Sequence, residues 1–226
     1  MPTPLASRIA SALVLAGLFA FLALQVAAAV VYPGGSFCDE GATHYHFWGN
    51  FVCDVMQPHT QVGVDNTRAA RLGTASFIAI AAAFIPFWWL VGRLVGGAAG
   101  WVVRVLGTLS ALGTLVVPGL PSARWPLPHV AAVFTASVPG LAAAVGGAVS
   151  LLRARRLVPG LLGAATLVVG AVDAAGYGRA VLHGTRCTPW LAPVQKVAAL
   201  ALIAWMTSVA VLAARGQRAG RVDSSG

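Results

Sequence analysis

Polar residues are scarce in this chain and fall in short groups between long apolar stretches. Six stretches are apolar over the length a helix needs to cross a bilayer core of about 30 Å. They cover 9–32, 69–94, 100–117, 129–152, 159–181 and 189–214. The pattern predicts an all-α, polytopic membrane protein with six transmembrane helices forming one domain over 1–214. Pro33-Gly34-Gly35 closes the first span, and the four prolines between Pro118 and Pro128 make a loop between the third and fourth. Pro159 stands where a first-turn proline is favoured. Pro86 and Pro139 fall inside spans and predict kinks that neighbouring helices accommodate. Gly107, Gly113, Gly163 and Gly170 predict close helix approach, which is how membrane bundles pack without a hydrophobic drive between helices. The polar tail 215–226 predicts disorder.

The first span has an alternative reading as a secretory signal peptide, with Arg8 ahead of it and Ala27-Ala28-Ala29 as a cleavage site. Its apolar run exceeds the roughly 7–15 residues of a signal core, so a retained helix is favoured.

Composition agrees with the pattern. The chain is 58% hydrophobic and 9% charged, against about a quarter charged in an ordinary soluble domain. The net charge of +9 is almost all arginine. These arginines sit at span ends, which marks topology and contact with anionic lipid headgroups and leaves no nucleic-acid footprint. Arg8, Arg93, Arg104, Arg153, Arg155, Arg156, Arg215, Arg218 and Arg221 share the side of the termini. Arg68, Arg71, Arg124, Arg179, Arg186 and Lys196 take the other. The asymmetry predicts an inner (plasma) membrane protein with both termini cytoplasmic. All five histidines and all three cysteines then lie on the extracytoplasmic face.

Most of that face's chemistry is in the stretch THYHFWGNFVCDVMQP, residues 43–58. Placed on a helix over 43–57, Phe47, Trp48, Phe51, Val52 and Val55 gather on the side away from His46. His46, Asn50, Cys53 and Gln57 line up together opposite them, with Asp54 at the edge of that stripe. Thr43 would cap the start and Pro58 follows the end. The expectation is a short interfacial helix acting as a lid, its polar ridge wet. His44 and His46 would point to opposite sides, so they do not chelate together. His46, Asn50 and Asp54 are nevertheless candidate catalytic residues, as a proton-transfer ridge.

Two further features carry chemistry. The cysteines allow a Cys38–Cys53 disulfide, with Cys187 as the alternative partner of either. Asp173 is the one acid inside a span, costly there and hence a candidate functional group. Tyr177 lies one turn on, Arg179 and His183 continue outward, and Lys196 could pair with Asp173. A sharper hypothesis brings His46, His129, His183 and Asp173 together as zinc ligands, although no diagnostic ligand spacing is present.

The run FWGNFVCDVMQ resembles the first loop of uncharacterised six-helix bacterial membrane proteins classed by a domain of unknown function, distantly similar to the Frag/autophagy-modulator membrane family. Asn50, Phe51, Cys53 and Asp54 match the Asn-Phe-x-Ser/Cys-Asp pattern of that loop. The resemblance implies a six-helix fold and no activity, cofactor or catalytic residue. With no complete catalytic motif, the first expectation is a non-enzymatic scaffold or sensor that contacts membrane lipid and a membrane-protein partner or a second copy. The alternatives are a zinc-dependent lipid hydrolase at the outer face, with zinc as its cofactor, and a small proton- or cation-coupled transporter using Asp173.

Overall fold

The computed structural model describes residues 4–122, 124–185 and 187–222, so Arg186 and the last four residues of the tail lie outside it. Among the described residues the architecture is all-helical, with six helices long and apolar enough to span a membrane. They are α1 (Pro4–Val30), α2 (Thr67–Val95), α3 (Gly97–Val116), α4 (Pro126–Arg153), α5 (Leu157–Leu182) and α6 (Leu191–Val222). The last runs on as helix to Val222, where the sequence predicts a disordered tail from 215.

The helix ends follow from local chemistry. Pro33 restricts Tyr32 to extended backbone, and α1 stops just before it. Gly96 and Gly97 have φ of 75° and 54°. The chain thus leaves α2 and enters α3 through a left-handed turn that a side chain would strain. Pro86 and Pro139 sit inside α2 and α4, as their sequence positions require. Beside Pro139, the Ser110 hydroxyl of α3 donates to the Ala136 carbonyl at 2.6 Å. The adjacent helix thus supplies a hydrogen bond within the turn that precedes the proline.

Each helix packs on its neighbour in chain order, and α1 meets α6 to close the ring. α2 also touches α4 and α6, and its apolar stretch is the most deeply buried of the six. The core centres on Trp205, whose ring meets Phe87 at 5.1 Å and Trp88 at 5.7 Å, both edge to face. Glycines make room for these rings. Gly107 lies directly under Trp88, and a Cβ on Gly163 would come 2.9 Å from Trp205. At the α3–α4 crossing a Cβ on Gly113 would come 2.5 Å from the Ala136 nitrogen. The backbones therefore meet there without side chains between them.

The two ends of the bundle differ. One holds the start of α1, the end of α6 and the α2–α3 and α4–α5 connections. The other carries the long segment between α1 and α2, residues 31–66, which lies over the helix ends as a cap. Trp48, Trp125 and Trp190 are about half exposed at the cap end, and Trp101 is exposed at the terminal end. Tryptophan at both ends of a bundle is the pattern of a membrane–water interface.

Candidate functional site

The cap starts with two glycines. Gly34 and Gly35 have φ of 114° and 82°, and this turn brings the Gly35 amide to the Ala42 carbonyl at 2.8 Å. The Tyr32 hydroxyl donates to the Gly35 carbonyl at 3.0 Å. Further along, the Asn66 amide nitrogen donates to the Pro58 carbonyl at 2.8 Å, and its side chain to the Gln57 carbonyl at 2.8 Å. The cap is therefore pinned at both junctions with the bundle.

The interfacial helix expected over 43–57 does not form. The segment consists of bends and turns, with a single 3-10 turn at Asp54–Met56. Two side chains take the backbone donors a helix would need. Asn50 Oδ1 accepts from the His46 amide at 2.9 Å, and Asp54 Oδ2 accepts from the Phe51 amide at 2.9 Å. Short polar side chains that bond nearby backbone in this way compete with helix formation.

The polar residues also do not face water as expected, although Val55 of the apolar group is buried with them. Asn50, Asp54 and Gln57 are buried, whereas Phe47 and Trp48 are half exposed and packed edge to face at 4.8 Å. Asn50 is the hub. Its Nδ2 donates to the Gly35 carbonyl at 2.8 Å and to Asp54 Oδ2 at 3.0 Å, while its Oδ1 holds His46. Gln61 Nε2 reaches Asp54 Oδ1 at 3.4 Å. Burial pushes the Asp54 carboxyl above the usual carboxylate range, while its hydrogen bonds from Asn50 and Phe51 and the nearby Lys196 charge oppose that shift.

Three links join this network to the helices. Lys196 of α6, itself buried, donates to the Asn50 carbonyl at 2.5 Å. Its ammonium also lies 5.6 Å from the ring centres of both Tyr45 and Phe47. Both rings are within cation–π range. The neighbouring Gln195 accepts the Val52 amide at 2.7 Å. Gln57 Oε1 accepts the Ser122 amide at 3.0 Å, tying the cap to the α3–α4 loop. A disulfide between Cys38 and Cys187 adds a covalent tie to the α5–α6 loop. The pairing is thus the alternative one, and Cys53 is left as a free thiol. Burial, followed by the Asp54 charge, pushes that thiol up to about 12, which leaves it inert as a nucleophile at neutral pH.

The proposed zinc ligands are not gathered. Among the described residues no group of three or more His, Cys, Asp or Glu is placed to hold a metal. His129 is buried, with Nδ1 2.7 Å from the Leu120 carbonyl, and this contact fixes the α3–α4 loop. His46 and His183 are exposed. Asp173 is half-buried on α5, and the Lys196 ammonium goes instead to the Asn50 carbonyl. Tyr177 packs on Phe134 with ring centres 6.3 Å apart. The His46–Asn50–Asp54 ridge therefore resolves into an Asn50–Asp54 pair facing inward, with His46 contributing only backbone.

Sequence reading overlooked Gln61, Ser122 and Gln195. Gln195-Lys196 did carry a signal, since two adjacent long polar side chains near the start of an apolar helix need buried partners. The arrangement ties the cap to α6 and to the α3–α4 and α5–α6 loops, and it uses most of its buried polar atoms in doing so. No family model, curated protein or solved structure matches the chain.

Proposed function

We propose that this chain is a non-enzymatic integral membrane scaffold or sensor whose cap is a rigid extracytoplasmic recognition surface, with both termini cytoplasmic. One observation carries the reading. Asn50, Asp54, Gln57 and Lys196 are buried and bonded to one another or to backbone, while Phe47 and Trp48 face outward. A catalytic or metal site would keep polar groups open to a ligand, whereas a recognition surface keeps them inward and presents aromatic anchors. The Cys38–Cys187 disulfide supports placing the cap on an oxidising side. The arginine asymmetry supports the same orientation in an inner membrane. The partner is a second membrane protein or another copy of this chain, bound through the exposed Phe47–Trp48 pair. Membership in the six-helix family with the Asn-Phe-x-Cys-Asp loop is part of the proposal. In that reading, Asn50 and Asp54 recur because they fold the loop.

Photo-crosslinking in intact membranes tests it. A photoreactive residue at Phe47 or Trp48 should give one adduct of discrete mass, lost when Asn50→Ala releases the cap. Adducts to lipid alone, or a pattern unchanged by Asn50→Ala, would contradict it.

A second reading rests on Asp173, a half-buried acid within a span and near the Lys196 charge. Such a group suits proton- or cation-coupled transport. Uptake by reconstituted vesicles that Asp173→Asn abolishes, with folding intact, would establish it.

A further inference from the structure

At the end opposite the cap, a cavity of about 190 Å³ opens between the start of α1, the end of α2, the start of α5 and the far part of α6. Its polar lining is Ser7, Arg93 and Arg156, and its apolar walls include Leu94 and Leu212. Arg93 is half-buried and fixed in place. Its guanidinium donates to the Ser7 hydroxyl and lies 5.2 Å from the centre of the Trp89 ring. Arg156 also lines the cavity, directly after a residue with unusual backbone. Arg155 has φ of 55°. This is the left-handed region that usually takes glycine at a helix C-terminus. The Arg155 and Arg156 amides close this turn on the Leu152 and Leu151 carbonyls at 2.9 Å each. The turn delivers Arg156 to the cavity at the point where α5 begins, and the positive end of that helix adds to the field.

Charge balance shows what is missing. The chain has six acids, and Asp39, Glu40, Asp54, Asp65 and Asp173 all belong to the cap or the cap-side half of a helix. The sixth, Asp223, lies outside the described residues. Arg8, Arg93, Arg104, Arg153, Arg155, Arg156 and Arg215 therefore share an end with no acid among its described residues. Arg93 is half-buried with the Ser7 hydroxyl as its hydrogen-bond partner, and two arginines lining one opening suit the oxygens of a phosphate group.

We propose that this cavity is a binding site for a phosphate-bearing anion, with Arg93 and Arg156 as the ligating groups and Ser7 positioning Arg93. The apolar walls beside the arginines favour a phospholipid as its source. The headgroup phosphate meets the guanidinium pair while an acyl chain runs along Leu94 and Leu212, as basic niches between membrane helices bind acidic lipids.

The test uses the full chain, purified in a mild neutral detergent. Native mass spectrometry with phosphatidylglycerol titrated against phosphatidylcholine should show preferential retention of the anionic lipid. Arg156→Gln, at an exposed position, should lower that retention about fivefold, the effect of one arginine at a lipid headgroup. Arg93→Gln should lower it at least as much. Arg93→Lys keeps the charge without the fork and should fall between the unaltered protein and Arg93→Gln, so a folding defect in the glutamine variant is distinguishable. Arg124→Gln, at the cap end, should leave retention unchanged. A parallel arm adds inorganic phosphate. If millimolar phosphate displaces the lipid and raises the melting temperature as far as phosphatidylglycerol does, the anion is free phosphate. If only the lipid stabilises the protein, the source is the membrane. Equal retention of both lipids with no effect of phosphate, or full retention in Arg93→Gln and Arg156→Gln alike, overturns the site.

Discussion

The two ends of this bundle handle polarity in opposite ways. At the cap end, acids, amides and one lysine are folded into a network in which Asn50 alone makes three side-chain hydrogen bonds. At the terminal end, arginines crowd together with no acid among the described residues, and two of them face a cavity. The cap end pairs most of its buried polar groups within the chain, whereas the proposed site at the terminal end would be completed by an anion from outside it. Polar residues in a membrane protein thus have two distinct uses, and burial tells them apart. Asn50 and Asp54 are buried and bonded, while Arg156 is exposed at a cavity mouth.

The sharpest way to break this contrast is at the hub. Asn50→Ala removes three hydrogen bonds at once; the Gly35 carbonyl keeps the Tyr32 hydroxyl and Asp54 Oδ2 keeps the Phe51 amide, while the His46 amide loses its side-chain partner. Each such hydrogen bond contributes about 1 kcal/mol net, so the cap should loosen, with a total loss of about 3 kcal/mol. Limited proteolysis would show new cuts within 31–66, while circular dichroism retains the six helices. Unchanged protease resistance would mean that Asn50 is not the hub.

Opening the disulfide comes next. Cys38 and Cys187 are 149 residues apart in sequence. That separation gives a chain-entropy ceiling of about 5 kcal/mol. Helices already inserted in a membrane restrict the unfolded chain, so about 2 kcal/mol is the expected loss on Cys38→Ser with Cys187→Ser, the low end of measured disulfides. Thermal unfolding with and without reductant measures it, and identical curves would remove the disulfide from the account.

A smaller effect distinguishes a buried structural acid from a catalytic one. Burial raises the folded-state pKa of Asp54 above its ordinary 3.8. As pH rises above 3.8 the unfolded chain loses this proton first. Stability therefore falls until the folded carboxyl also ionises. The cap should melt at a higher temperature at pH 5 than at pH 7.5, and Asp54→Asn should flatten the difference. A profile that rises with pH would contradict the assignment.

The smallest effects belong to the exposed histidines. His46→Ala and His183→Ala should each change stability by under about 0.5 kcal/mol, and chelator treatment should leave the melting curve in place. Loss of a tightly held metal from either variant would revive a metal role for this face.

The spans were legible in the sequence because a bilayer demands about 20 apolar residues, and the end signals at Pro33, Gly96 and Pro126 are local. The glycines at 107, 113 and 163 were legible as packing sites for the same reason, since their neighbours lie on adjacent helices. The cap was not. A helical wheel over 43–57 groups Asn50 with Gln57 correctly, but it assumes that the polar side faces water. Here the partners of that segment are distant in sequence. Gln195, Lys196 and Ser122 lie 143, 146 and 65 residues along the chain from the groups they bond. Nothing within the segment discloses them. The Asn50 and Asp54 side chains also take backbone donors that helix formation needs, a competition that periodicity cannot register.

Hydrogen exchange on the intact protein tests the central claim most directly. The Phe51 and Val52 amides are bonded to Asp54 and Gln195. They should exchange as slowly as amides at the helix ends they adjoin, and Asn50→Ala should release them. Fast exchange at both amides in the unaltered protein, or continuous helical protection across residues 43–57, would contradict a cap folded inward on its polar residues.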